Sequence, residues 1–401
     1  MPRKPGNVLI GQSGGPTAVI NQSLVGLVET CQRAARVGRI LGAVSGIQGV
    51  LEARIVDLGR ESRKTLEAVA RTPGSALRSV RKKPTPEECE RVCAELKRLD
   101  VRWFFYIGGN DSAETALLVS QIARDAHYEI GVFHVPKTID NDLRETDHCP
   151  GYPSAARFVI QALQGDDEDN RSLPGIKLDV IMGRHAGWLT AASALARTHA
   201  DDGPHLIYCP ERVFDMDAFL GDVERVYKRL GRCVAVLSEG IHDAQGNLIG
   251  AGEDKDSHGN VQLSGSGALG DLLAATIKHK LGSKLRVRAD TFGYMQRSFA
   301  GLVSPVDAKE ARRVGERAAE VALQGKRASG TISIVRKQRQ QYAVTYAVND
   351  LERVAKEQRR LEERFLSGRN DVSPAFVEWL KPLVGKLPRT AHLSDFPCAP
   401  A

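Results

Sequence analysis

Short runs of apolar, β-branched and aromatic residues alternate along the chain with longer amphipathic segments. The runs are bounded by glycine or proline and are typical of buried strands. They cover residues 7–10, 101–107, 130–135, 178–182, 205–208 and 233–237. Between them, apolar residues recur at spacings of three and four, which predicts helices over 19–30, 86–99, 113–126 and 154–163. This alternation of strands and helices predicts an α/β fold with mainly parallel sheets.

Three other stretches lack a clear strand pattern. The acidic stretch 163–174 predicts a surface loop, and the glycine-rich stretch 246–270 predicts a long irregular connection. The charged stretch 350–364 predicts a solvated helix.

Composition narrows the class of protein. At about 100–200 residues per domain, 401 residues suggest two to four domains, and 42% hydrophobic with 26% charged residues is typical of a soluble globular chain. The formal net charge of +7 suits anionic ligands, but it is spread over a long chain, which makes a nucleic-acid binder the least supported function.

No apolar run approaches the ~20 residues of a membrane helix, and residues 1–5 lead into a strand rather than a signal peptide. A cytoplasmic protein is therefore expected, and seven cysteines without a CxxC pair predict reduced thiols.

Three loops that directly follow predicted strands hold the candidate chemistry. Open α/β sheets bind ligands at this edge, where strand ends and helix N-termini meet. The first loop, residues 11–17, has small residues that let backbone N–H groups approach an anion. A plain tight turn is the alternative for this loop taken alone.

The second loop, residues 108–112, combines two glycines with oxygen-bearing side chains at Asn110 and Asp111. Such oxygens suit Mg²⁺ shared with substrate phosphates. Ser112 is placed to cap the following helix, and a helix cap alone is the alternative.

The third loop, residues 136–142, carries Lys137, Asp140 and Asp142. This set fits phosphoryl transfer, because a lysine can neutralise the moving phosphoryl group and one aspartate can accept a hydroxyl proton. The other aspartate can orient a metal or the backbone.

Six separated motifs resemble, in order, those of the phosphofructokinase family, and within it those of the pyrophosphate-dependent members. The resemblance runs from about residue 7 to about residue 323. The motifs are SGGPT at 13–17, GGNDS at 108–112, PKTIDND at 136–142, MGRHAGW at 182–188, SEG at 238–240 and GYMQR at 293–297.

The resemblance implies two Rossmann-like domains with mainly parallel sheets. Residues 1–151 together with about 300–345 would bind the phosphoryl donor, and residues 152–299 the sugar phosphate. Residues 346–401 are expected to form a largely helical C-terminal extension. The donor-binding residues implied are Gly14, Gly15, Arg81, Gly109 and Ser112.

The resemblance also implies residue roles. Asp140 would be the general base that takes the proton from the 1-hydroxyl of fructose 6-phosphate, with Lys137 beside the transferred group. The implied substrate-binding residues are Thr138, Asp140, Met182, Gly183, Arg184, Glu239, Arg288, Tyr294 and Arg297.

Two positions favour pyrophosphate over ATP as the donor. ATP-dependent relatives resemble GGDGS and PGTIDND at the second and third loops, whereas this chain has Asp111 and Lys137 in place of glycine. A carboxylate at 111 adds bulk and negative charge where a nucleotide would pass. Lys137 supplies a cation where the small donor brings no adenosine binding energy.

The implied cofactor is Mg²⁺. Asn110 stands where many members have an aspartate, so either the Asn110 oxygen is a weaker ligand beside Asp111 and Asp142, or the ion is left to Asp111, Asp142 and the pyrophosphate itself.

The sequence thus predicts reversible phosphoryl transfer from pyrophosphate to fructose 6-phosphate by a homodimer or homotetramer, without nucleic-acid or membrane partners. One alternative is an ATP-dependent or mixed-donor phosphofructokinase, and another is a different acceptor such as sedoheptulose 7-phosphate. A non-catalytic regulatory subunit that only binds sugar phosphate is the alternative from another class.

Overall fold

The computed structural model describes residues 5–250, 267–355 and 357–393. The strands are β1 (Gly6–Gln12), β2 (Val37–Ala43), β3 (Ile55–Asp57), β4 (Val101–Gly108), β5 (Gly131–Pro136), β6 (Ile176–Ile181), β7 (Leu206–Tyr208), β8 (Cys233–Ser238), β9 (Val287–Thr291), β10 (Ser329–Arg336), β11 (Val344–Asn349), β12 (Leu366–Ser367) and β13 (Asp371–Val372). The α-helices are α1 (Ile20–Gln32), α2 (Gly46–Leu51), α3 (Arg63–Ala70), α4 (Pro86–Arg98), α5 (Asn110–Asp125), α6 (Tyr152–Ser172), α7 (Trp188–Ala192), α8 (Met216–Leu230), α9 (Ala268–Leu281), α10 (Pro305–Gln324) and α11 (Pro374–Val384).

A seven-stranded sheet has the strand order β11-β10-β5-β4-β1-β2-β3. Its five inner strands run parallel, and the two edge strands β3 and β11 are antiparallel to their neighbours. The central strand β4 is apolar along its length because helices cover both faces. Trp103 and Phe105 pack in the core that holds α1 and α10, whereas Phe104 and Tyr106 pack in the core that holds α4 and α5.

A second, four-stranded sheet has the order β7-β8-β6-β9 and is entirely parallel. Helices α6, α7 and α11 share a core beside it that contains Trp188 and Phe376, both fully buried. The predicted α/β class is confirmed, as are all six predicted strands and all four predicted helices, within a few residues at their ends except for α6, which ends nine residues beyond the predicted 163. The domain boundaries stay a prediction.

The predicted acidic loop over 163–174 is wrong, because α6 continues to Ser172. Its acidic residues are neutralised by cations from the neighbouring sheet. Asp167 is buried against the guanidinium of Arg232, and Asp166 lies 2.7 Å from the ammonium of Lys177. Of the predicted irregular connection over 246–270, residues 251–266 lie outside the described residues.

The predicted helix over 350–364 is also wrong. This stretch holds two short 3₁₀ turns, Leu351–Arg353 and Glu363–Phe365, and residues 357–361 lie outside any helix or strand. We call residues 357–361 the crossing segment. Its peptide groups bond to other parts of the fold: Gln358 forms a β-bridge with Leu143, and the Arg359 N–H donates to the Asp142 carbonyl at 2.7 Å. A largely helical C-terminal extension is therefore not found in the described part of 346–401, whose one α-helix is α11.

Two further predictions concern membrane-spanning helices and the oxidation state of the cysteines. Within the described residues, no helix is both long and apolar enough to cross a membrane. Six cysteines are described, and all six are buried free thiols, which agrees with the expected reduced state.

Candidate active site

The carboxyl ends of β1, β4 and β5 lie side by side and open onto one cavity of about 400 Å³. The three predicted loops meet there, as expected for the ligand edge of an open α/β sheet. The lining residues are Ser13, Gly14, Gly15, Val80, Arg81, Lys82, Lys83, Gly109, Asn110, Asp111, Ser112, Lys137, Thr138, Asp140, Asp142 and Gln358.

Three cations converge on the first loop. Lys137 is 3% exposed and its ammonium donates to the Gly15 carbonyl at 2.6 Å. A Cβ atom on Gly15 would lie 3.3 Å from Nε of Arg297 and 3.5 Å from Nη2 of Arg81, so both guanidiniums lie in contact distance of this position. Burial, with Arg297 as the next cause, lowers the pKa of Lys137 to about 8. This crowding of positive charge suits a polyanionic ligand.

Asp140 lies at the partly exposed turn beside these cations. The Asp140 N–H donates to Thr138 Oγ1 at 3.1 Å, and the Thr138 N–H donates to the Pro150 carbonyl at 3.2 Å. The hydroxyl of Thr138 therefore fixes the turn through the Asp140 N–H. The Asp140 carboxylate takes no part in these two bonds, and Asp140 lines the cavity.

Asn110 and Asp142 form a pair of oxygen ligands. Asn110 Nδ2 donates to Asp142 Oδ2 at 2.9 Å, which leaves Asn110 Oδ1 buried without a hydrogen-bond partner among the described residues. Burial, and then the charge of Asp140, raises the pKa of Asp142. The Asn110 amide oxygen has no hydrogen-bond partner among the described residues, and a nearby cation would stabilise the charged form of the Asp142 carboxylate. Mg²⁺ prefers oxygen ligands of this kind.

Asp111 and Ser112 occupy the first turn of α5. The helix begins at Asn110 with Gly109 as its N-cap residue, so the expected capping role of Ser112 is wrong: Ser112 lies inside the helix and is buried. Asp111 is exposed at the cavity. Among the described lining residues none is aromatic, so nothing there offers a nucleobase a ring to stack on.

The second sheet contributes the loops that follow β6 and β8. Gly183 has φ +153, and a Cβ there would lie 2.6 Å from the Ala186 carbonyl oxygen, so the bend after Met182 requires glycine. Ser238 Oγ donates to the Gly183 carbonyl, and the Glu239 N–H donates to the Ile181 carbonyl at 2.9 Å. These bonds hold the predicted sugar-binding residues Met182, Gly183, Arg184 and Glu239 at neighbouring strand ends.

The loop after β9 joins the two halves of the site. Arg297 ends a 3₁₀ turn, Gly293–Arg297, and its guanidinium carbon lies 4.5 Å from the ring centre of Tyr294. The same guanidinium borders Gly15 of the first sheet. Arg297 is therefore placed between the donor cavity and the loops of the second sheet.

The structure does not bring Arg288 to these residues. Arg288 lies near the start of β9, three residues before the strand ends, and donates to Asp169 at 3.1 Å. It pairs in register with Lys177, which is also early in β6. Because β6 and β9 are parallel, both side chains lie away from the strand ends that carry Met182 and Arg297.

Four lining residues, Val80, Lys82, Lys83 and Gln358, were not expected from the sequence. Lys82 and Lys83 extend the basic run that begins at Arg81, and that run was a signal available in the sequence. Gln358 comes from the crossing segment, for which an expected solvated helix gave no indication of a site.

A buried charge network anchors the chain just beyond Asp142. His148 Nδ1 lies 2.8 Å from Asp147 and Nε2 lies 2.6 Å from Glu310 on α10. Burial alone would lower the pKa of His148, but the hydrogen bonds to the two carboxylates outweigh it and raise the pKa to about 9. The imidazolium form is thus stabilised by the fold.

His148→Gln should reveal this stabilisation as a dependence on pH. Since the pKa of His148 in the fold exceeds the 6.5 of an ordinary histidine, its contribution to the free energy of unfolding is fully present below pH 6.5 and is lost as pH rises through 9. We expect the wild type to exceed the variant in free energy of unfolding by about 3 kcal/mol more at pH 6 than at pH 9.5. Urea unfolding of both proteins at the two pH values measures this, and an equal gap at both would contradict it.

The chain belongs to the phosphofructokinase family, since the profile of the family described as Phosphofructokinase matches residues 7–322. It is 49% identical over 396 residues to the pyrophosphate--fructose 6-phosphate 1-phosphotransferase of Rhodospirillum rubrum, with 97% of both chains covered. The protein of the same name from Xanthomonas campestris pv. campestris is 43% identical over 80% of this chain and 77% of its own. The crystal structure of a pyrophosphate-dependent phosphofructokinase from Nitrosospira multiformis superposes with a TM-score of 0.85 at 32% identity, covering 98% of this chain and 95% of that one. The family expected from the six motifs is confirmed.

Proposed function

We propose that this chain transfers a phosphoryl group from pyrophosphate to the 1-hydroxyl of fructose 6-phosphate, giving fructose 1,6-bisphosphate and phosphate, and that it catalyses the reverse reaction as well. The observation that carries the proposal is the convergence of Lys137, Arg81 and Arg297 on Gly15, beside Asp140. This arrangement matches a small, highly charged donor next to a proton acceptor. The names of the relatives support the same donor and acceptor.

In the proposed reaction, Asp140 accepts the proton of the 1-hydroxyl as the sugar oxygen attacks the outer phosphorus of pyrophosphate. The bond from that phosphorus to the bridging oxygen breaks, and phosphate leaves. Lys137 donates to the transferred group from a fixed, buried position, so little reorganisation is needed when charge shifts. Gly14, Gly15, Arg81, Gly109 and Ser112 would hold the rest of the donor.

The sugar phosphate would lie between the two sheets. The resemblance implies that Arg297, with Tyr294 against its guanidinium, binds the 6-phosphate. Because this guanidinium lies beside Gly15 in the structure, that role would require it to swing from the donor cations toward the second sheet. Thr138, Met182, Gly183, Arg184 and Glu239 would contact the sugar, because they lie at the strand ends that face this cleft.

We further propose Mg²⁺ as the cofactor. Asn110 Oδ1 and Asp142 are the residues suited to hold it, with Asp111 exposed nearby. When bound, the ion would neutralise charge on the pyrophosphate oxygens.

A homodimer or homotetramer is also proposed. If Arg288 binds a phosphate as the family resemblance implies, it would do so for another subunit, because within its own chain it pairs with Asp169 away from the cleft. A cytoplasmic location stays a prediction.

Phosphorus NMR of the purified protein tests the reaction. With pyrophosphate, fructose 6-phosphate and Mg²⁺, the pyrophosphate signal should fall to an equilibrium level while phosphate and a new sugar 1-phosphate signal appear in equal amounts. Omission of Mg²⁺ should stop the conversion. A pyrophosphate signal that does not diminish in the complete mixture would contradict the proposal.

Asp111→Gly should admit ATP as a donor. The variant removes bulk and negative charge at the cavity, where like-charge contact with a nucleotide phosphate costs several kcal/mol, so kcat/KM for ATP should rise at least about tenfold. Asp111→Asn keeps the bulk and removes the charge, which separates the two effects. If the ratio of kcat/KM for ATP to kcat/KM for pyrophosphate is unchanged in both variants, Asp111 does not determine the choice of donor.

A further inference from the structure

The crossing segment runs over the cleft between the two sheets. The chain leaves the first sheet at β11, passes through residues 357–361, and then enters β12, β13 and α11 beside the second sheet. The family profile ends at residue 322, so this part of the chain lies beyond the region that it matches.

The side chain of Arg359 is bonded to the loop that carries the two aspartates. Nε and Nη2 donate to the Asn141 carbonyl at 3.3 and 3.1 Å. Nη1 donates to the carbonyls of Asp147, at 3.0 Å, and Thr146. With its own N–H bonded to the Asp142 carbonyl, Arg359 holds this loop at both ends.

The carbonyl that receives two of these bonds belongs to a constrained residue. Asn141 has φ +55, in the left-handed region that few non-glycine residues adopt and for which asparagine is among the best suited. It separates Asp140 from Asp142, so the orientation of its peptide groups sets where the Cα–Cβ bonds of both aspartates point. Removal of the guanidinium would leave this carbonyl without two of its donors.

Arg359 also contacts the second sheet. Its guanidinium carbon lies 4.5 Å from the ring centre of Trp188, which is fully buried at the start of α7. Two residues on, the Leu361 N–H donates to Glu211 Oε1 at 2.8 Å, and the same oxygen accepts from the Gly187 N–H at 2.9 Å. Gly187 and Trp188 end the loop that begins at Met182.

We propose that Arg359 is a positioning residue for phosphoryl transfer, which fixes Asp140 and Asp142 relative to the loop over 182–188. This inference rests on the function proposed above. A guanidinium suits the role because its planar donors reach three carbonyls at once while its face packs on an aromatic ring. A lysine ammonium at the same position can make only some of these contacts with the three carbonyls and the ring.

The test compares Arg359→Ala and Arg359→Lys with Arg364→Ala as the matched control. Arg364 lies in the same part of the chain, is 68% exposed and pairs with its near neighbour Glu362. For Arg359→Ala we expect kcat with pyrophosphate and fructose 6-phosphate to fall about 100-fold, with both KM values within about threefold of wild type. Arg359→Lys should recover part of that loss, and millimolar methylguanidinium should raise the rate of Arg359→Ala but not that of the control.

Binding of fructose 6-phosphate, measured by calorimetry, separates misplacement from unfolding. A stoichiometry equal to that of the wild type, together with the lowered kcat, supports the proposal. If Arg359→Ala is unfolded, Arg359→Lys decides: a kcat lowered several-fold at full binding stoichiometry supports the proposal, and a wild-type kcat overturns it. An active wild type whose Arg359→Ala variant retains kcat also overturns it. A wild type inactive with pyrophosphate would instead contradict the proposed function.

Discussion

Asp140→Asn is expected to lower kcat about 1000-fold while changing the affinity for fructose 6-phosphate only a few-fold. The amide has nearly the shape of the carboxylate, but it cannot accept the hydroxyl proton, and general-base catalysis contributes about 10²–10⁴ in rate. The turn is held through the backbone of Asp140 and the hydroxyl of Thr138, so the substitution leaves its geometry intact. Steady-state rates with pyrophosphate and calorimetric binding of fructose 6-phosphate measure the two quantities.

Asp125→Asn is the matched control for this variant, because Asp125 is exposed at the end of α5. It should retain wild-type rates. Full activity in Asp140→Asn would show that another group takes the proton, and a joint loss of rate and sugar-phosphate binding would show that Asp140 mainly binds substrate.

Lys137→Met should lower kcat and kcat/KM by the same factor, about 10²–10³-fold, as expected when a donor that acts in the transition state is removed. Burial lowers the pKa of Lys137 to about 8, so an uncharged side chain of similar length should cost the fold little. Initial rates over a range of pyrophosphate concentrations separate the two constants.

Lys64→Met provides the control, since Lys64 is exposed on α3. A higher KM for pyrophosphate with unchanged kcat in Lys137→Met would make Lys137 a ground-state binding group. It would then have no special role in the transfer step.

The sequence predicted the strands around the site because burial on both faces leaves a strong signal. The run from Trp103 to Ile107 is apolar without interruption, and its side chains divide between two cores. The three loops could then be placed together, because the carboxyl ends of parallel strands meet at one edge. Lys137, Asp140 and Asp142 lie within six residues of one another, so their proximity in the fold follows from their proximity in the sequence.

The two helix errors share a physical cause. Charge patterns report how polar a segment is, but not which cations or carbonyls it meets after folding. Asp166 and Asp167 are neutralised by Lys177 and Arg232, which keeps α6 intact where a loop was expected. Conversely, the peptide groups of the crossing segment bond to distant partners instead of forming a helix.

Lys82 and Lys83 escaped prediction although they directly follow Arg81. Gln358 and Arg359, by contrast, escaped it because they are supplied from far along the chain. Arg359 is separated from Asn141 by 218 positions, and no short motif connects them. Arg288 illustrates the converse: it precedes Arg297 by nine positions, yet the direction of β9 keeps it away from the cleft. Spacing along a sequence locates residues within a loop, whereas only the sheet order shows which loops meet.

The choice of donor tests the central claim most directly. Initial rates of fructose 1,6-bisphosphate formation should be measured for the purified wild type with pyrophosphate and with ATP, at the same concentrations of fructose 6-phosphate and Mg²⁺. The crowded cations at Gly15, the carboxylate of Asp111 and the lack of an aromatic lining residue predict a kcat/KM for pyrophosphate at least about 100-fold above that for ATP. A kcat/KM for ATP equal to or above that for pyrophosphate would contradict the account.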